Sequence, residues 1–230
     1  FGLGHSIFFE DLKSVSPDVV LGPYDNGQLR LSFLLANIGY TNYDDVLNPS
    51  RGFRLASYGR VASKVLASEA SYATWGGRGA FVYTLPFAPS LSLANNTHGA
   101  SSWPYGDSNS IPISQRFFLG GYSSVRGYKE NSLGPRGVDG GVGGGDLMLL
   151  NNLEFRWQFY ESFSVLTFLD VGGVYLRDES VAADELRRST GFGFRYLSPV
   201  GPIGFDVGFP LERRPDEPSA RFHFSVGTLF

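Results

Sequence analysis

The side chains able to carry catalysis or hold a metal are few, and their spacing does not bring them together. His5, His98 and His223 stand far apart, and metal sites need clustered ligands. Cysteine is absent, which suits a compartment where disulfides form readily and a free thiol is a hazard. The stretch GYSSV at 121–125 lacks the second glycine of a nucleophile elbow. The glycine run at 137–145 is not followed by the Gly-Lys-Ser/Thr of a phosphate loop. Glu161, Asp178, Glu179, Asp184 and Glu185 fall where solvated loops are expected, and no pair of acids can be given acid–base work. The chain is therefore expected to carry no catalytic residue, no metal and no cofactor, and not to be an enzyme. The chemistry that remains is ionic recognition. Arg126 is a planar cation in a glycine-rich stretch, and placed away from water it needs a carboxylate partner. Taken alone, such a stretch is more often a solvated hairpin than a buried anchor.

The elements that would position Arg126 are strands. The 230 residues have a mean hydropathy of −0.08, and no run of about 18 apolar residues could form a transmembrane helix. A barrel strand escapes that criterion, because only every second residue must be apolar. With 19 basic and 22 acidic residues the net charge is −3, so there is no nucleic-acid footprint. The opening FGLGHSIFF has neither a basic n-region nor a cleavage site, so no signal peptide is expected within the chain.

Period-two alternation recurs from end to end. In 220–230, Phe222, Phe224, Val226, Thr228 and Phe230 share one face, and Arg221, His223, Ser225 and Gly227 the other. In 202–211, Ile203, Phe205, Val207 and Phe209 oppose Gly204, Asp206 and Gly208. In 189–197, Phe192, Phe194 and Tyr196 oppose Gly191, Gly193 and Arg195. In 147–159, Leu153, Phe155, Trp157 and Phe159 oppose Asn152, Glu154, Arg156 and Gln158. Further strands are predicted near 4–15, 28–42, 51–63, 76–87, 90–102, 113–119 and 163–176, about eleven in all. Alternation fits a soluble sandwich, with the apolar face inside, or a membrane barrel, with the apolar face to lipid. Two features favour the barrel. Aromatics, 15% of the chain, crowd the apolar faces, and the chain ends on Phe230 in register with its own apolar face. Two segments break the alternation: a polar loop at 103–112, and 120–146, whose length marks it as functional.

The long loop carries a resemblance. FFLGGYSSVRGY at 117–128, followed by LGP at 133–135, resembles the signature of the bacterial surface antigen superfamily of outer-membrane assembly and secretion barrels. NLEF at 152–155, FLDVGGVY at 168–175 and GFGFRYLSPVGPIGFDVGFPL at 191–211 are similar to its following strands, closest to its TamA and BamA members. The likeness is specific over 113–230 and looser before it, where TNYDDVLNPSRGFRL at 41–55 resembles a family hairpin.

The resemblance implies an all-β, antiparallel transmembrane β-barrel in a bacterial outer membrane. The chain, 1–230, would be one barrel domain forming the C-terminal eleven or so strands of a sixteen-stranded wall. The N-terminal strands and the periplasmic POTRA domains would lie outside it. The loop 120–146 would fold into the lumen with Val125, Arg126, Gly127 and Tyr128 at its tip. Arg126 would bind acids at the positions of Glu154 and Asp170. Parity places Glu154 on the lumen side, and Asp170 is a carboxylate in an otherwise apolar strand. Phe222, Phe224, Val226 and Phe230 would face lipid, with Phe230 as an assembly signal. The implied function is insertion of outer-membrane proteins or translocation of a passenger, acting through the barrel seam and the lumenal loop. The partners would be outer-membrane lipid, substrate outer-membrane or secreted proteins, and periplasmic or accessory assembly proteins. Alternative functions are a membrane-anchor barrel of a patatin-like phospholipase, a two-partner secretion transporter, or a passive pore, which a loop-filled lumen argues against.

Overall fold

The structure is a computed structural model that describes residues 1–12, 22–25, 27–137, 140–177, 181, 185–198 and 201–227. Ten strands follow one another: β1 (Gly2–Leu12), β2 (Gly27–Thr41), β3 (Arg51–Ala62), β4 (Tyr72–Leu85), β5 (Ala88–Pro104), β6 (Leu147–Tyr160), β7 (Phe163–Tyr175), β8 (Arg187–Ser198), β9 (Gly201–Pro210) and β10 (Arg221–Val226). Each pairs antiparallel with the next in one sheet of order β1 to β10. The outer edges of β1 and β10 have no strand partner among the described residues.

Burial is inverted relative to a soluble sandwich. Along β8 to β10 the aromatic faces are open, with Phe222 84% and Phe192 63% exposed, while Asp170, Glu154, Asn152 and Asp206 on the opposite face are buried. A water-soluble sheet would cost itself the burial of these rings, whereas a lipid-facing wall places them in hydrocarbon. Phe224 and Val226 also lie on the open face, and Phe230 lies outside the described residues.

The sheet is curled. The connection 105–146 reaches Glu10 of β1 through Ser114 Oγ (2.5 Å) and His223 of β10 through the Gly127 N–H (3.1 Å). Ten flat strands at about 4.8 Å spacing would hold those edges more than about 40 Å apart, a span that 114–127 could cross only fully extended. The segment includes a 3-10 turn and a turn at Gly121–Ser124, so the edges approach each other across a concave face.

The predicted strand at 113–119 is a correction. Ile113–Gln115 is a 3-10 turn, and Phe117 and Leu119 form isolated bridges to Gly145 and Leu133 within the connection itself. The segment alternates as a strand does, but the wall has no place for it. Leu91–Ser101 of β5 already pairs with Leu147–Trp157 of β6, which fills both hydrogen-bonding edges. The two predicted loops are thus one connection, 105–146, lying against the inner face.

Turns alternate in length. Two residues join β4 to β5 and β6 to β7 at one rim, whereas 63–71, 105–146 and 211–220 join strands at the other. The segment 42–50 at the short-turn rim is held by Asp44, whose carboxylate accepts from the Ser50 and Arg51 N–H groups (3.0 Å each) and from the Ser50 hydroxyl.

Candidate functional site

The inner face of β6 to β10 is built around one side chain from the connection. Arg126 is fully buried. Its Nε and Nη2 each donate to Asp170 of β7, to Oδ2 and Oδ1 respectively, at 2.8 Å, and its own backbone N–H donates to Oδ2 at 3.0 Å. Nη1 donates to Glu154 Oε1 of β6 at 2.7 Å and lies 3.4 Å from Asp206 Oδ2 of β9. The fork of the guanidinium matches the carboxylate in a way that an ammonium cannot. Burial works against the charge on Arg126, but Asp170, Glu154 and Asp206 together outweigh it and raise its pKa above the ordinary arginine value.

Each acid has a second partner, so none is left half-satisfied. Arg156 donates from Nε to Glu154 Oε2 at 2.8 Å, and Arg195 donates from Nη1 to Asp206 Oδ1 at 2.6 Å. Asn152 Nδ2 donates to Asp170 Oδ1 at 2.9 Å and to the Ser124 carbonyl at 2.6 Å, tying the loop to β6 by a further route. Three arginines and three acids make the cluster neutral. A buried network of this kind is tolerable only when every member is paired.

Apolar contacts fix the loop around the ion pairs. The Arg126 Cζ sits 3.6 Å from the centroid of the Phe168 ring, a cation–π contact shielded from water. Val125 and Tyr128 are buried with Leu119 and Leu133 against Ala100, Met148, Leu150 and Val174 of the wall. The Tyr128 hydroxyl donates to the Arg188 carbonyl at 3.1 Å, and Arg187 lies over its ring.

Gly127 has φ +90, and its backbone rests on Gly208 of β9, where a Cβ would come within 2.5 Å of the Gly127 nitrogen. Gly120 has φ +102, and a Cβ there would meet the Lys129 carbonyl at 2.3 Å. Only glycine fits both the torsion and the approach.

A second set of contacts holds the start of the connection to β1 to β4. Gln115 Oε1 accepts from Arg60 Nη1 at 2.8 Å, and its Nε2 donates to Glu10 Oε1 at 3.2 Å. The Ile113 N–H donates to Asp25 Oδ1 at 2.7 Å.

The structure thus brings Val125, Arg126, Gly127, Tyr128, Glu154 and Asp170 to one place. Phe222, Phe224 and Val226 lie on the opposite, outer face. Asp206, Arg195, Arg156, Asn152, Phe168 and His223 join the site without having been singled out for it. Parity alone puts Asp206, Arg195, Arg156, Asn152 and His223 on the inner face. Their meeting at Arg126 depends on strand register. Among the described residues no group of three or more His, Asp or Glu side chains is arranged to hold a metal ion.

Comparisons with known proteins agree with this architecture. The Omp85 superfamily domain matches residues 14–230. The outer membrane protein assembly factor BamA of Nitratidesulfovibrio vulgaris is 36% identical over 151 residues, covering 62% of this chain and 19% of that protein. BamA of Neisseria meningitidis is 28% identical over 230 residues, covering 84% of this chain and 28% of that protein. In fold, the crystal structure of BamA from Haemophilus ducreyi lacking POTRA domains 1-3 matches 98% of this chain and 50% of that one, with a TM-score of 0.80 at 20% identity. The chain therefore spans under a third of the length of these two BamA relatives. With its antiparallel, lipid-facing wall and a family match over nearly its whole length, the chain belongs to the Omp85 superfamily of outer-membrane β-barrels.

Proposed function

We propose that this chain, as a single barrel domain, is part of the wall of a factor that inserts outer-membrane proteins into the bacterial outer membrane, a non-enzymatic role. The observation that carries this reading is the last wall strand. Among the described residues the outer edge of β10 (Arg221–Val226) has no strand partner, which is where the seam of a closed barrel would lie. A strand edge at such a seam can pair with an incoming strand by β-augmentation. The free energy for insertion would come from folding of the client, with no nucleotide. BamA relatives named as assembly factors support the same reading.

In this reading 120–146 is a lumenal brace. Arg126, held by Glu154 and Asp170, keeps β6, β7 and β9 in fixed relation while the seam opens. Phe222, Phe224, Val226 and Phe230 form the lipid-facing side of the terminal strand, and Phe230 helps the cell's machinery recognise the chain. Partners are then membrane lipid, client barrel proteins, and periplasmic or accessory assembly proteins.

The test is disulfide trapping in the complete protein. Val226→Cys at the β10 edge should crosslink to a cysteine in the terminal strand of a client during assembly, and the crosslink should disappear as the client matures. Phe155→Cys, in a strand paired on both sides, should not crosslink. Equal trapping at both positions, or none at β10, would overturn the seam reading.

A further inference from the structure

Charge is distributed unevenly over the inner face. On β6 to β9 the three arginines of the Arg126 cluster are balanced by three acids. On β2 to β5, strand register places Arg54, Arg60 and Arg78 on the inner face with no acid beside them. Arg60 is accounted for, donating to Gln115 and lying over the Phe33 and Tyr72 rings. Arg54 and Arg78 make no hydrogen bond or ion pair with any described residue.

The two free cations are close together. Arg54 faces Ala80 across the β3–β4 ladder and Arg78 faces Ala56, so they are diagonal neighbours, about 7–8 Å apart by backbone spacing. Like charges on neighbouring positions of a sheet repel. The other inward groups around them are Tyr58 and His98, joined at 3.3 Å, and neither is an acid. Tyr43 folds from the 42–50 turn onto Ala80, Val82 and Ala94 beside Arg54, and its buried hydroxyl has no hydrogen-bond partner. Asn96 stands opposite Ala80 on β5, is 1% exposed, and its Oδ1 is also unpaired. Arg54, exposed to the lumen, and Arg78, half-buried, thus have no protein acceptor among the described residues, while the buried Tyr43 hydroxyl and Asn96 Oδ1 are unpaired. A fold gains nothing from such an arrangement, because adjacent like charges and unpaired buried polar atoms are both destabilising.

We propose that Arg54 and Arg78 form a docking site inside the barrel for an extended, acidic polypeptide segment. An extended chain projects side chains on one face about 6.5–7 Å apart, which matches the diagonal spacing of the two arginines. Carboxylates at alternate positions can each take one guanidinium. The site opens toward the short-turn rim, the periplasmic side in bacterial barrels. It rests on the reading that the barrel handles unfolded clients, and it names one chemical feature by which an entering segment would be held.

The experiment uses the complete protein in lipid nanodiscs and a dye-labelled peptide with glutamate at alternate positions, read by fluorescence anisotropy. The peptide should bind, more weakly as salt rises, and the same peptide with glutamine should not. Arg54→Gln with Arg78→Gln should weaken binding by up to about tenfold, the loss expected for two solvent-accessible charge pairs. The double variant should keep its heat-resistant electrophoretic mobility, since it removes a repulsion. Arg54→Lys with Arg78→Lys should retain most of the binding, which a merely structural role for the pair would not produce. Unchanged affinity in the glutamine variant, or equal binding of the glutamine peptide, would overturn the proposal. So would displacement of the peptide by an equal concentration of inorganic phosphate, which would mark a site for small anions. Each of these outcomes leaves the β10 crosslinking result untouched, so failure here is separable from failure of the insertion reading.

Discussion

At the scale of single residues, Arg126 organises the inner face because no other group can satisfy three acids on three strands at once. Arg126→Ala would leave Asp170, Glu154 and Asp206 buried with less positive charge than negative. Breaking one side of a buried ion pair typically costs about 3–5 kcal/mol. The expected outcome is a loop that becomes protease-sensitive, and a melting temperature well below that of the parent, with the wall still formed by circular dichroism. Arg126→Lys should recover only part of that loss, since an ammonium cannot span both Asp170 oxygens and reach Glu154. Recovery to parental stability would show that charge alone, not the fork, is what the site requires. Gly208→Ala tests the same site from the wall side. Its Cβ would meet the Gly127 nitrogen at 2.5 Å, and a backbone contact cannot give way as a flexible side chain can. Stability should fall by about 1–3 kcal/mol, the usual cost of overpacking, with the Arg126 loop more exposed to hydrogen exchange.

At the scale of elements, each strand has one face for lipid and one for the polar interior. Phe224 of β10 is on the outer face. Phe224→Asp should reduce the yield of folded chain in bilayers by up to a few kcal/mol in stability, less near an interface. Ser225→Asp, on the inner face, should be milder, and the reverse order would mean the faces are assigned wrongly. The 42–50 turn offers a pH-dependent test. Hydrogen bonds, the Ser50 hydroxyl first, hold the Asp44 carboxyl at about 2, below its ordinary 3.8. A depressed pKa stabilises the folded form above the unfolded value, so the contribution is complete above about pH 4 and is lost as pH falls toward about 2. Asp44→Asn should flatten that acid-dependent part of the melting curve by lowering stability above about pH 4 toward its acid value, a small loss because the turn is exposed and solvent screens it.

At the scale of the whole molecule, the connection 105–146 supplies a core that a polar barrel interior otherwise lacks. Leu119, Val125, Tyr128 and Leu133 come from it and pack on four wall residues. Replacing 120–146 with a short hairpin should therefore lower thermal stability and, in planar bilayers of the complete protein, raise single-channel conductance. Unchanged conductance would show that the loop does not occlude the barrel. The family match and the fold likeness bear on this scale too: the architecture is shared with BamA structures, while the contribution of segments outside this chain belongs to the complete protein.

The sequence by itself determined which residues share a face, because the β period of two is a local property and every wall strand obeys it. It also carried the loop motif and the inward acids Glu154 and Asp170. It misread 113–119, since alternation reports only how a segment could pair, not whether a neighbouring edge is free. Only the tertiary structure decided that Asp206, 80 positions away, and Arg195 complete the Arg126 cluster. It alone decided that Phe168 lies beneath the guanidinium, and that Arg54 and Arg78 stand diagonal without an acid. Those relations are set by register between strands and by the height at which the loop enters the curled sheet. Both are properties of long-range backbone pairing, and a one-residue slip in either would change every partner while leaving the alternation of each strand intact.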